Sequence, residues 1–340
     1  MKKTRVAING LGRIGRAFLR LALKRAELEI VVINDLGTLD NLAYLLKYDT
    51  AYGPSKLNIE IEEENILMVG SQRIKFIQEA DPSKLPWDAL DIDVVVEATG
   101  VFESYEKSKA HIDAGARKVV ISAPVKDLPP AGIPGATVLL GINDDKLKTC
   151  QITSNASCTT NSASPVIAIL NETVGIQKAL LNTVHGYTAS QSIVDAPDKK
   201  DYRRGRAGAQ NIVPSSTGAA TAVTQAIGDL AEKFDGIATR VPVVAGSIVD
   251  ITFLAKRKTS VHEINNILKQ AATEARWHGI FEVTEEPLVS SDIIGNTHAS
   301  IADLNLTRVV AGDLVKVMAW YDNEMGYAHT LVEHVIKTGN

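Results

Sequence analysis

Cysteine is almost missing: the 340 residues hold two, Cys150 and Cys158. A pair that sparse gives no disulfide framework, and free thiols in a cytoplasmic setting are expected. No apolar run approaches the length of a membrane span. Met1-Lys2-Lys3-Thr4 enters a strand pattern almost at once, so neither a signal nor a transit peptide is expected. Positive charge is not in excess, and a net charge of -4 gives the whole chain no push toward nucleic acid or anionic membranes. Internal repeats and low-complexity segments are absent, and no metal site is expected. What remains is a composition of 45% hydrophobic and 22% charged residues, ordinary for a globular protein of about two domains.

One of the two cysteines stands in an unusual place. Ser154-Asn155-Ala156-Ser157-Cys158-Thr159-Thr160-Asn161 surrounds it with small hydroxyl and amide side chains. Ala163, Val166, Ile167, Leu170 and Val174 then recur at near-helical spacing, which puts Cys158 close to a helix N-terminus. There the helix dipole and unpaired N–H groups favour a thiolate, so a lowered thiol pKa and a nucleophilic role are expected. Pro165 predicts a kink in that helix.

The first forty residues read as a β-α-β unit. The strand Val6-Ala7-Ile8 runs into Gly10-Leu11-Gly12-Arg13-Ile14-Gly15. A helical stripe follows through Ile14, Phe18, Leu21 and Ala22, then a second strand, Ile30 to Ile33, ended by Asp35. This is the dinucleotide fingerprint in its required context. Its glycines allow a tight turn, close approach of a pyrophosphate and close helix–strand packing, and the acid hydrogen-bonds a ribose. Two further parallel strands, Ile92 to Ala98 and Lys118 to Ser122, end at Thr99-Gly100 and at Ser122-Ala123-Pro124, where ligands of open parallel sheets bind. Strand-end capping would explain Thr99 and Ser122 equally well.

From about residue 176 the pattern changes. Alternation over 237–243, 247–255, 306–311 and 314–321 predicts a largely antiparallel sheet with one covered face. Helical spacing recurs over Val261 to Trp277 and again over Asn323 to Lys337.

Several blocks, in order, carry a family resemblance: the fingerprint with Asn34-Asp35-Leu36, Leu45 to Asp49, Ser154 to Asn161, His185-Gly-Tyr-Thr188, Gln210 to Ala220, Arg240-Val-Pro242 and Trp320 to Tyr327. Along essentially its whole length the chain resembles phosphorylating glyceraldehyde-3-phosphate dehydrogenase. The resemblance implies a Rossmann-type cofactor domain over 1–155 and 323–340, and an α+β catalytic domain over 156–322. It implies a homotetramer, with the segment 185–212 matching a loop that reaches a neighbouring subunit; a long irregular segment in a compact domain agrees with such a role.

The resemblance also assigns roles. Cys158 would attack the aldehyde and His185 would act as base, a task suited to imidazole. Inorganic phosphate would meet Ser157, Thr159, Thr217, Gly218 and Arg204, and the substrate phosphate would meet Thr188 and Arg240. NAD would be held by Gly10, Gly12, Arg13, Ile14, Gly15, Asp35, Thr99, Gly100, Ser122, Asn323 and Tyr327. Asp35, Leu36 and Pro197 favour NAD over NADP, since a 2′-phosphate would face a carboxylate. Lys199 and Lys200, in the basic run that contains Arg204, read as solvated.

Four positions depart from the family pattern: Ser162, Gly186, Met325 and Ala80, the last where an arginine near the adenine is frequent. Erythrose-4-phosphate dehydrogenase, whose thioester is hydrolysed, is the rival; Thr217-Gly218 favours the phosphorylating enzyme. A non-catalytic, nucleic-acid-binding or scaffold role would predict loss of Cys158 or His185, or a concentrated basic face.

Overall fold

The computed structural model describes residues 2–199 and 201–339. Lys200, one of the two lysines expected in a solvated loop, lies outside them. The chain divides into two compact units. One takes the chain as far as Val138, Asn143–Ala156 and everything from Ala328; the other takes Leu139–Ile142 and Ser157–Tyr327. The division thus falls at Ala328, not 323. Side chains explain the difference: Asn323 accepts a hydrogen bond from Ser247, and the Asp322 carboxylate accepts from the N–H groups of Gly295, Glu324 and Met325.

The first unit is built on nine strands: β1 (Thr4–Asn9), β2 (Leu28–Asn34), β3 (Ile59–Glu63), β4 (Ile66–Val69), β5 (Gln72–Ile77), β6 (Val94–Glu97), β7 (Lys118–Ile121), β8 (Gly135–Thr137) and β9 (Ile152–Ser154). Their spatial order is β3-β4-β5-β2-β1-β6-β7-β9-β8. Every pair from β5 to β8 is parallel. The helices α1 (Arg13–Ala22), α2 (Leu39–Lys47) and α3 (Tyr105–Asp113) belong to this unit. Val94, Val95, Val96, Val119, Val120 and Ile121 are all fully buried, the continuous apolar runs of a sheet covered on both faces. The β3-β4-β5 edge is antiparallel, which the sequence reading did not foresee. Only two residues separate each of these strands from the next, too few for a parallel crossover.

Below this sheet lies a buried polar group with a measurable consequence. His334 meets Thr153 Oγ1 at 2.8 Å through Nε2 and Asn155 Oδ1 at 3.1 Å through Nδ1, and the Asn155 amide donates to Thr330 Oγ1. The amide oxygen can only accept, so Nδ1 carries a proton, and in the neutral ring Nε2 accepts from the Thr153 hydroxyl. Burial pushes His334 down to about 3, whereas an unfolded imidazole protonates near pH 6.5. Between those values the unfolded chain binds the extra proton. The contribution to stability is therefore complete above about pH 6.5 and is lost as pH falls, by roughly 1.4 kcal/mol per unit. We expect urea unfolding of His334→Gln to show lower stability at pH 7 but a shallower fall to pH 5, by about 1–2 kcal/mol. Parallel losses in both proteins would refute this.

The second unit holds eight strands: β10 (Ile176–Gly186), β11 (Val213–Ser216), β12 (Phe234–Val241), β13 (Ser247–Ala255), β14 (Phe281–Thr284), β15 (Ser300–Asp303), β16 (Arg308–Val310) and β17 (Leu314–Tyr321). Their order is β11-β12-β10-β13-β17-β15-β14, with β16 on β17. Antiparallel pairing prevails, but β10–β12 and β14–β15 are parallel. One face is covered by α4 (Cys158–Thr173), α5 (Ala219–Ala226) and α6 (Val261–Ala272), whose Val166, Ile167, Leu170, Val223 and Leu268 share a core with Val249, Ile251, Phe253 and Val317. The helix α4 runs unbroken through Pro165. A last helix, α7 (Met325–Gly339), closes the chain.

Candidate active site

In the first unit the fingerprint turn joins β1 to α1. Gly10 has φ +96°, and a Cβ there would sit 2.7 Å from the Ala98 carbonyl carbon; one on Gly15 would sit 2.1 Å from the Gly10 oxygen. Those two positions admit only glycine. Gly12 faces open space instead, with nothing within 4 Å of a Cβ, which is the clearance a pyrophosphate needs. The Asp35 carboxylate accepts from the N–H groups of Leu11 and Gly37, at 2.7 and 2.8 Å. That fixes it at the rim with lone pairs left for a ribose hydroxyl.

A cavity of about 290 Å³ opens there, lined by Gly10, Gly12, Asp35, Leu36, Ala80 and Thr99 among others. Of the expected cofactor residues of this unit, Arg13, Ile14, Gly15, Gly100 and Ser122 are not part of that lining. Arg13 instead pairs with Asp49 at 3.0 Å and lies over the Tyr52 ring. The cradle fits a dinucleotide. Ala80 is exposed on its wall. Ala80→Arg should add a cation over the adenine worth about 0.5–1 kcal/mol, lowering the Kd for NAD roughly two- to fivefold by calorimetry; unchanged affinity would count against adenine lying there.

The walls are braced by residues that the sequence reading missed. The Glu97 carboxylate accepts from Asn9 Nδ2 at 2.6 Å, from the Thr99 N–H at 2.8 Å, from the Thr99 hydroxyl, and from His111 Nε2 at 3.1 Å. Trp87 Nε1 can only donate, to His111 Nδ1 at 3.0 Å, so the ring proton of His111 is on Nε2. Asn34 continues the chain, donating to Asn9 Oδ1 and to the Glu79 carbonyl. An acid at the end of an apolar strand, Val-Val-Val-Glu, was the available signal.

In the second unit α4 begins at Cys158 itself. Ser157 is its N-cap, its hydroxyl oxygen accepting from the Thr160 N–H at 3.1 Å. The preceding Ala156 has φ +54°, a left-handed conformation costly for a residue with a Cβ. Cys158 Sγ lies 3.3 Å from His185 Nε2. Burial pushes the Cys158 thiol up; Arg240 and the Thr159 N–H and hydroxyl pull the other way without cancelling it. The lowered pKa expected from the helix terminus is thus overturned in this arrangement, because desolvation outweighs it. His185 is pushed down to about 3, by burial first and by the Arg240 charge second. It is neutral across the physiological range.

Arg240 follows from register: in the parallel pair β10–β12 it stands opposite His185. Its Nη1 is 2.5 Å from His185 Nδ1 and 3.2 Å from the Gly186 carbonyl oxygen. Burial lowers the Arg240 pKa, and Arg204 lowers it further. Arg204 donates to Ser215 Oγ at 3.1 Å. Neither guanidinium makes an ion pair with a carboxylate among the described residues, although the Arg204 charge helps to lower the nearby Asp201 carboxyl.

Thr217 accepts from the Ala219 N–H, and Gly218 leads into α5 with no side-chain cap and open space around it. Thr159 Oγ1 bonds the Tyr321 hydroxyl at 2.9 Å, which bonds Thr183 at 2.7 Å. Thr188 pairs with Ser190 at 2.9 Å. Asn323 is buried against Ser247, and Tyr327 is buried. Tyr321, Thr183 and Ser247 were not foreseen as site residues; nothing local in their strands marks them.

The comparisons with known proteins meet this geometry. Residues 4–105 match the family model described as "Glyceraldehyde 3-phosphate dehydrogenase, NAD binding domain", and residues 157–323 match the model of its C-terminal domain. The glyceraldehyde-3-phosphate dehydrogenase of Mycobacterium leprae is 46% identical over 338 residues, 97% of each chain. That of Clostridium acetobutylicum is 47% identical over 334 residues, 96% of each. With both halves matched and near-complete mutual coverage, the chain belongs to the glyceraldehyde 3-phosphate dehydrogenase family.

Proposed function

We propose that this chain catalyses the phosphorylating oxidation of D-glyceraldehyde 3-phosphate to 1,3-bisphosphoglycerate, with NAD and inorganic phosphate, in glycolysis and gluconeogenesis. The observation that carries it is the Cys158–His185 contact of 3.3 Å, with the Arg240 guanidinium 2.5 Å from the other ring nitrogen of His185. Cys158 sulfur adds to the aldehyde carbon, and the thiol proton passes by way of His185 Nε2 to the oxygen, giving a hemithioacetal. NAD, when bound, supplies the acceptor for the hydride that leaves this carbon. His185 takes the hydroxyl proton as the carbonyl re-forms, which leaves a thioester on Cys158. Phosphate oxygen then attacks the thioester, and the Cys158 thiolate departs.

Hydroxyls, N–H groups and guanidinium suit the two anions. Ser157, Thr159, Thr217, Gly218 and Arg204 would receive inorganic phosphate, and Thr188 and Arg240 the substrate's own. Gly10, Gly12, Arg13, Ile14, Gly15, Thr99, Gly100 and Ser122 would hold NAD, with Asp35 on the ribose and Asn323 and Tyr327 toward the nicotinamide. No helix among the described residues is long and apolar enough to cross a membrane. Cytoplasmic location is our reading of the two unpaired thiols.

A homotetramer is likewise proposed. The uncovered face of the second sheet supports it: Leu180 is 66% and Ile237 57% exposed, beside a groove of about 550 Å³. Ile193, Val194, Tyr202 and Ile212, in the long irregular segment, are exposed too.

NAD reduction with the triose phosphate tests the activity, with and without inorganic phosphate and beside erythrose 4-phosphate. Sustained turnover only with phosphate and the triose is expected; phosphate-independent turnover, above all on the four-carbon sugar, would overturn the reading.

A further inference from the structure

The chain reaches Cys158 through a strained residue that is held from behind. Ala156 has φ +54° and is completely buried. A left-handed alanine persists only where its surroundings leave the chain no other path, and such residues gather where a protein positions something. Two sets of buried hydrogen bonds supply the constraint. On one side, Ser154 Oγ accepts from the Ala156 N–H at 3.0 Å and donates to the Ala123 carbonyl at 2.6 Å. On the other, α7 holds the side chain of Asn155. The amide nitrogen donates to Thr330 Oγ1 at 3.1 Å, and the amide oxygen accepts from His334 Nδ1 at 3.1 Å. The far nitrogen of that ring meets Thr153 Oγ1 at 2.8 Å.

Spacing explains the fit. Thr330 and His334 are four apart and share a face of α7, while Thr153 and Asn155 are two apart and share a face of the extended chain that ends β9. All four are at most 1% exposed. Buried polar groups add little net stability over apolar ones of the same shape, but they fix direction: an amide held at both ends has one orientation.

Resting on the assignment of Cys158 as the nucleophile, we propose that Thr330 and His334 are positioning residues of the reaction. By fixing Asn155 they hold Ala156 left-handed, and so set the direction in which the chain enters α4 and presents the thiol. Ser157 is the N-cap and Cys158 the first helical residue, so a rotation at Ala156 is carried to the sulfur within two residues. With the clamp gone, Ala156 relaxes toward an ordinary backbone conformation and the sulfur meets the aldehyde out of line. Glycine adopts φ +54° without that penalty, so Gly at 156 has less need of the clamp.

Two replacements of His334 in the full-length protein separate positioning from packing. Asparagine brings an amide nitrogen near the place of Nδ1 and keeps a donor for Asn155. Glutamine reaches toward the place of Nε2 and keeps only the Thr153 contact. Both lose the ring, so a purely structural role predicts similar activity for the two. We expect His334→Asn to stay close to the wild-type rate of NAD reduction and His334→Gln to lose kcat by about 10- to 100-fold, the scale of a misplaced reacting group. The Kd for NAD should be unchanged in both. Iodoacetamide alkylation of Cys158, measured without substrate, should slow in the same order. Thr330→Val keeps the shape, loses the acceptor and should behave like His334→Gln; adding Ala156→Gly should return at least about fivefold of its rate. Equal rates in the asparagine and glutamine variants, or no recovery with glycine, would overturn the proposal. Should the His334 variants fail to fold, Thr330→Val with and without Ala156→Gly decides alone. If the wild-type protein does not reduce NAD with triose phosphate and inorganic phosphate, the functional reading falls, and the alkylation rates still judge the clamp.

Discussion

Replacing Cys158 with serine should cut NAD reduction by a factor on the order of 10⁴ or more, the scale on which a covalent nucleophile acting with its base is lost. The substitution changes little else. Serine keeps the volume, a hydroxyl reaches the same His185 Nε2, and the N-cap of α4 belongs to Ser157. Cofactor binding should stay within about twofold, because Gly10, Gly12 and Asp35 form their cradle in the first unit. What goes is the soft, ionisable sulfur that can add to an aldehyde and then leave from an acyl group. The readouts are the absorbance of NADH and the mass of the acylated protein after mixing with substrate in the absence of phosphate. Iodoacetamide labelling is a third, since Cys150 is 7% exposed and should react slowly if at all. An acyl adduct that persists in the serine variant would remove Cys158 from the role.

The sequence made some of this site legible and hid the rest, and the division follows range. Gly10 to Gly15 and Asp35 could be read because a tight turn, a helix start and a strand end are local matters. Ser157 and Cys158 could be read for the same reason. The length of β10 could not. Its eleven residues hold Leu180 exposed beside Leu181 buried, so apolar residues occupy both faces and the alternation expected of a half-buried strand is lost. Nor could the neighbour of His185, because parallel pairing of β10 with β12 joins residues more than fifty apart. The Cys158 thiol shows the same limit in electrostatics. A helix terminus can be read from spacing, whereas the desolvation that opposes it depends on what the whole fold lays over the sulfur. The brace under the cofactor cradle, Asn9–Glu97–His111–Trp87, is likewise assembled from three strand or helix positions and one loop.

That desolvation sets the terms for His185. A thiol held above its ordinary value is scarcely ionised at neutral pH, and each unit below its pKa divides the thiolate by ten. The protein needs a group that removes the proton during attack rather than before it. His185 is such a group: it is neutral throughout the working range because burial and the Arg240 charge push it down to about 3. His185→Asn should therefore lower kcat by about 10²- to 10⁴-fold, the usual worth of a positioned general base. The pH dependence separates loss of a base from loss of shape. With asparagine in place only pre-formed thiolate reacts, so log kcat should climb with a slope near one as pH rises toward the thiol pKa. The wild-type rate should be much flatter over the same span, since its base is already unprotonated there. A variant that merely misplaced the cysteine would be slow at every pH by the same factor. Equal slopes would mean that the proton leaves Cys158 by a route that does not pass through His185.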